Sequence, residues 1–130
     1  MADIKLTLSK DTRRRAPNIE SEARRLKDEG VLYYELHTKP LRASTGSWVY
    51  FIRGGKLVAR ARVGSIRWMS SGELGRSYTG ELSSHDGWRV EVKAPMQIAA
   101  VAIRHESFQG FRYVRPDEEA AFKRVFRKKN

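Results

Sequence analysis

The sequence predicts an α+β domain of about five or six short strands with a helix near each end. Three observations carry this. Apolar and polar residues alternate in 4–9, 31–37 and 88–93, the pattern of half-buried strands. Gly54-Gly55 joins two further apolar stretches, as the two-residue loop of a β-hairpin would. Residues 17–29 and 116–130 instead place their apolar side chains at helical spacing, with helix-type start signals.

In "MADIKLTLS" Ile4, Leu6 and Leu8 fall on one side, and Lys5, Thr7 and Ser9 on the other. "DTRRRAP" breaks this strand. Pro17 suits a first helical turn, Ile19, Ala23 and Leu26 form a stripe, and Gly30 stands where a C-cap belongs. A helix is therefore predicted over 17–29. "VLYYELHTK", 31–39, is a strand with Leu32, Tyr34 and Leu36 on one face and Val31, Tyr33, Glu35 and His37 on the other. Pro40 ends it, and "RASTG" is a turn.

The Gly54-Gly55 hairpin pairs Arg53 with Lys56, Ile52 with Leu57, Phe51 with Val58, Tyr50 with Ala59, Val49 with Arg60 and Trp48 with Ala61. In that register Tyr50 and Trp48 each meet an alanine. Leu57, Ala59, Ala61 and Val63 form the core face. Arg60 and Arg62 stand on the opposite face with Val49, Phe51 and Val58.

Residues 69–87 are polar and hold four glycines, a long loop of the kind that is functional or disordered, interrupted by a short strand near Ser77 to Leu82. "WRVEVK" is a strand with Trp88, Val90 and Val92 against Arg89, Glu91 and Lys93, closed by Pro95. "MQIAAVAIRH" is apolar enough to be a buried helix or strand, and is read as a strand at its end. "FRYVR" is a short strand after Gly110. The last segment is a helix starting at Pro116. Asp117, Glu118 and Glu119 lie in its first turn and cations in its last, as the macrodipole favours. Ala121, Val125, Phe122 and Phe126 form its packing stripe.

The chain has 130 residues and 40% hydrophobic content, enough for one domain with a core. There are 26 Lys and Arg against 15 Asp and Glu, a net charge of +11. Such an excess attracts polyanions, so nucleic acid, RNA or DNA, is the first partner to test. No apolar run approaches the ~20 residues of a spanning helix, and no membrane partner is expected. The absence of Cys excludes disulfide and thiolate chemistry and fits a reducing cytoplasm. The sequence does not set the oligomeric state.

The stretch "YYELHTKPLRASTGSWVYFIRGGKLVARARVGSI" resembles the centre of the PUA-like superfamily, which includes the ASCH, EVE and YTH domains. The resemblance rests on Gly46 before the run Trp48-Val49-Tyr50-Phe51, on the returning strand "GKLVARARV", and on the closing "SFQGFRYV". It covers roughly residues 31–114. It implies a small bent mixed β-barrel with flanking helices that recognises RNA or a modified base, in some relatives through an aromatic pocket. ASCH amidohydrolases use a Lys, Thr and Glu cluster. Glu35, Thr38 and Lys39 match neither its order nor its spacing, so no catalytic residue is assigned.

Arg60 and Arg62 present forks that fit phosphate oxygens, or lie as surface arginines with apolar stems on the sheet. Arg67 and Arg76 are further candidates for backbone contact. Trp68, Tyr34 or Phe108 would stack on a base. Trp48, opposite Ala61, reads as core. His37, His85 and His105 lack metal-ligand spacing, so no metal is expected. "SSHD", 83–86, reads as a turn rather than a triad. "RGGK" is a hairpin turn, not a phosphate loop. "RRR", 13–15, and "RKKN", 127–130, are basic ends that add non-specific contacts or are solvated.

The function these residues predict is a nucleic-acid-binding module that recognises an unstacked or modified base, without a cofactor. Two alternatives stand beside it: a small enzyme on a modified nucleoside with Glu35 and Lys39 as acid and base, and a protein-interaction module for an acidic partner.

Overall fold

A computed structural model of the chain describes residues 2–8, 16–70 and 86–126. The elements run β1 (Ile4–Thr7), α1 (Ile19–Glu29), β2 (Val31–Leu36), β3 (Trp48–Arg53), β4 (Lys56–Met69), β5 (Gly87–Arg104), β6 (Phe111–Tyr113) and α2 (Pro116–Arg124). The strands form one six-stranded sheet in the order β2-β5-β4-β3-β1-β6. β1 and β3 run parallel and every other pair is antiparallel. The sheet curls into a half-barrel, which brings its edges together. A Cβ on Gly110, before β6, would lie 3.2 Å from Cδ2 of His37, just after β2. The α+β expectation holds, in this curled, barrel-like form. No helix among the described residues is long and apolar enough to cross a membrane.

The inner face of the curl holds the main core. Ile4 and Leu6 of β1, Leu32, Tyr34 and Leu36 of β2, Val49 and Phe51 of β3, Ala59, Ala61 and Val63 of β4 and Val90 and Val92 of β5 meet there under Ile19 and Leu26 of α1. The Asn18 carboxamide caps α1 by accepting from the Ser21 N–H at 2.8 Å. Gly30, at φ +82°, ends the helix by donating its N–H to the Leu26 carbonyl. Pro17 therefore precedes the cap instead of occupying the first turn.

Four expectations are corrected. First, the β3–β4 register slips by one residue between Phe51 and Ile52. Val58 is the extra residue of a bulge. Leu57 still pairs Ile52, but Ala59 now pairs Phe51, Ala61 pairs Val49, Arg60 pairs Tyr50 and Arg62 pairs Trp48. A one-residue slip moves side chains to the other face, so Phe51 and Val49, not Tyr50 and Trp48, cross the alanines.

Second, Pro95 does not end a strand. β5 runs through it to Arg104, with the Ala94–Pro95 peptide cis. The β2 ladder stops at Lys93, and β4 pairs Lys93 and then Gln97, so no partner calls for the missing Pro95 N–H.

Third, the strand at 96–104 is largely unburied. β4 pairs Ile98 and next Ile103, so residues 99–102 leave the ladder, and Val101 is 66% exposed.

Fourth, the stripe of α2 is Phe122, Phe126 and Val125, whereas Ala121 faces outward. These side chains cover Tyr50, Ile52 and Leu57 in a second, smaller core on the outer face. β2 also stops at Leu36, short of Lys39. The strand near Ser77 to Leu82, Arg76, most of "SSHD" and both basic ends lie outside the described residues.

Lys5, placed on the polar side of β1, is buried beneath α2. Its ammonium pairs with Glu118 at 2.5 Å and donates to His105 Nε2 at 2.9 Å. An ammonium has no lone pair, so Nε2 accepts, and Nδ1 carries the ring proton that it donates to the Glu106 carbonyl at 2.7 Å. The rings of Phe122 and Phe108 lie 5.8 and 6.0 Å from the ammonium.

Burial is the largest influence on the Glu118 carboxyl and raises its pKa. The Arg115 N–H and the Lys5 ammonium together outweigh burial and hold the group below the usual carboxylate range. A carboxyl lowered on folding stabilises the fold above its ordinary pKa and loses that contribution as pH falls through the folded value. Glu118→Gln is thus expected to lower the melting temperature at neutral pH. The gap to wild type should close as pH falls below the ordinary carboxyl range. Parallel thermal melts across that range check this, and a pH-independent gap would contradict it.

Candidate nucleic-acid interface

The outer face of the sheet beyond α2 is cationic because of strand alternation. Ala59, Ala61 and Val63 turn to the main core, so Arg60 and Arg62 turn away from it. The bulge at Val58 also brings Trp48 to this outer face. The Arg60 and Arg62 guanidinium carbons lie 3.8 and 3.6 Å from the Trp48 ring centroid. Arg60 also lies 4.7 Å from the Phe126 ring, at the end of α2. Its Nε donates to Gln97 Oε1 at 2.7 Å, while Arg62 donates to the Gly46 carbonyl at 2.7 Å. Each guanidinium has five N–H donors, so these single bonds leave donors for a further acceptor. The arginine planes are packed on Trp48, and each fork is held by its own hydrogen bond.

Lys93 of β5 stands directly opposite Arg62, and both are exposed. Like charges opposite each other weaken a sheet. Arg67 lies farther along the same face and donates to the Tyr33 hydroxyl at 3.1 Å, which in turn donates to Glu91 at 2.9 Å. Arg60, Arg62, Lys93 and Arg67 thus form a row of cations, with Glu91 as the carboxylate set among them.

Trp68 follows Arg67 but leaves the strand on the other face. It is 54% exposed and pairs across the ladder with Trp88. The indoles meet edge-on, with centroids 5.8 Å apart and planes at 82°. Beside them a cavity of about 220 Å³ opens, lined by Glu35, His37, Asp86 and Arg89 as well as the two indoles. Arg89 is buried and pairs with Glu35 at 3.1 Å. A Cβ on Gly87 would come within 2.6 Å of Arg89 NH1, so this glycine makes room for the guanidinium.

The other candidates are placed apart from this row. Tyr34 is 5% exposed in the main core, its ring 5.0 Å from Phe51 and its hydroxyl donating to Glu22. No base reaches that ring. Phe108 is half-buried against the smaller core, with the Arg112 guanidinium 4.6 Å away. Arg76 lies outside the described residues. Glu35 is engaged by Arg89, and the Lys39 ammonium sits 5.0 Å over the Trp88 ring.

Trp48 and Lys93 on the cationic face and Trp88 beside the cavity are missing from the predicted set. The alternation of "WRVEVK" already puts Lys93 on the outward side. Trp48 was hidden by the bulge, which sequence periodicity does not mark. No family model, no curated protein and no solved structure matches this chain.

Proposed function

We propose that the protein is a nucleic-acid-binding module of PUA-like type that grips the backbone of a single strand, RNA or DNA, along the outer face of β4 and β5. The observation that carries this reading is the placement of Arg62 opposite Lys93, with the guanidinium groups of Arg62 and its neighbour Arg60 both held on Trp48. A sheet gains nothing from facing cations, whereas a phosphate bridging them turns the repulsion into attraction. Exposed Trp68, at the end of the same strand but on its opposite face, offers a stacking face for an unpaired base that turns past the sheet end. We place the protein in the cytoplasm, which its cysteine-free composition supports.

Anisotropy titrations with a labelled single-stranded oligonucleotide, as RNA and as DNA, test this against polyglutamate of equal charge. The expected result is binding of at least one strand about tenfold or more tighter than polyglutamate, because stacking adds about 1–3 kcal/mol per base. Tighter binding of polyglutamate would favour the acidic-protein reading instead.

A further inference from the structure

A second cleft opens between α1 and β5, on the α1 side of the sheet. It encloses about 590 Å³, within the roughly 300–1,000 Å³ of small-molecule pockets. The Ala94 N–H donates to the Gly30 carbonyl at 3.1 Å and ties the bend of β5 to the end of α1. The floor is apolar, built by Ala23 of α1 and by Ala94, Pro95 and Met96 of β5. Met96 belongs to the main core, whereas Gln97 beside it reaches Arg60 on the outer face. The cleft and the cation row therefore open on different sides of the sheet. The rim of the cleft is cationic. Arg24 and Lys27 stand three residues apart, as neighbours on the surface of α1, and both are exposed. Among the described residues neither makes a hydrogen bond or an ion pair. The helix dipole favours Lys27 in the last turn of α1, but Arg24 lies before that turn and gains little from it.

We infer that this cleft takes an aliphatic carboxylate, with its chain on Met96, Pro95 and the two alanines and its head between Arg24 and Lys27. Three features select that chemistry. The floor holds no aromatic ring, so a flat base finds no stacking partner there, while a methionine thioether adapts to a flexible chain. The two cations on the rim offer a guanidinium fork and an ammonium, donors that fit a carboxylate. The edge of β5 is a poor template for an added peptide strand, because the β2 ladder stops at Lys93, the Ala94 N–H is taken by Gly30 and Pro95 has no N–H. The site lies apart from the phosphate row and does not rest on the nucleic-acid reading.

NMR titration of the full chain, isotope-labelled at its methionine methyl groups, with octanoate, 1-octanol and acetate tests this. The Met96 signal is expected to shift to saturation with octanoate, while that of Met69, buried across the ladder from Gly87, stays in place. Octanoate should bind about fivefold to tenfold tighter than 1-octanol, the combined worth of two exposed ion pairs. Acetate carries the charge without the chain and should leave Met96 unshifted. Arg24→Gln with Lys27→Gln should bring octanoate down to the affinity of 1-octanol. The melting temperature should stay at the wild-type value, since both side chains are exposed. Equal binding of octanoate and 1-octanol by wild type, or an unchanged preference in the double variant, overturns the assignment of an anion. No shift at Met96, or equal shifts at both methionines, overturns the site. A single-stranded oligonucleotide held at the cation row should leave bound octanoate undisturbed, and its displacement of octanoate overturns the inference as well.

Discussion

Glu118→Ala is expected to destabilise the protein by about 3–5 kcal/mol, the cost of removing one partner of a buried ion pair. Lys5 is 3% exposed and Glu118 11% exposed, so water does not replace the lost carboxylate. The ammonium is left with the His105 imidazole and two phenyl rings. The melting temperature should fall by roughly 10–20 °C. The same substitution removes the bond from the Arg115 N–H that starts α2. Replacing both partners by apolar groups, Lys5→Met with Glu118→Leu, should recover most of the loss, because the desolvation of both charges disappears together. Thermal melts of the single and double variants check this. A double variant as unstable as the single one would show that the network is held by something other than the ion pair.

Arg60→Gln with Arg62→Gln is expected to weaken single-strand binding by roughly a hundredfold or more. A hydrogen bond to a charged group is worth about 1.5–3 kcal/mol, and two such bonds are lost. Glutamine keeps a planar amide that can still lie on Trp48, so the fold should survive. Alanine is the poorer choice, because the arginine planes pack against Trp48 and Phe126. The stacking lost with the charges should cost about 0.5–1 kcal/mol per arginine. Arg60→Lys with Arg62→Lys keeps the charge without the fork and should bind with intermediate affinity. Melts run beside the binding curves separate the two roles. Binding that falls only as far as the folded fraction falls would make the row structural.

Much of this architecture is legible in the sequence because each element's pattern is local. The alternation of Leu32, Tyr34 and Leu36, the Gly54-Gly55 turn and the Asn18-to-Gly30 helix need no knowledge of the rest of the chain. Both turn glycines have positive φ, +59° and +75°, as the hairpin loop requires. The misses have non-local causes. The Val58 bulge is set by how β3 and β5 both pair with β4, and no composition signal marks it. Lys5 sits in a polar register position but is buried, because α2 returns from the far end of the chain to supply Glu118. Residues 99–102 read as interior by composition, yet they loop out of the ladder. For the candidate site, the two arginines are visible in "ARAR", but their platform is not, because the register that brings Trp48 to their face depends on that bulge. Only its residue type points to Tyr34 as a stacking residue. Its own alternation with Leu32 and Leu36 already assigns it to the core.

The proposed function requires that the Arg60, Arg62 and Lys93 row contact phosphates. The most direct test is the salt dependence of single-strand binding for wild type and for the Arg60→Gln, Arg62→Gln variant. Each phosphate neutralised on a single strand contributes about −0.7 to the slope of log affinity against log salt. Wild type should therefore give a slope of roughly −2 or steeper for the three cations, and the variant should be shallower by about 1.4. Equal slopes for the two proteins, or no binding by wild type at low salt, would contradict the claim.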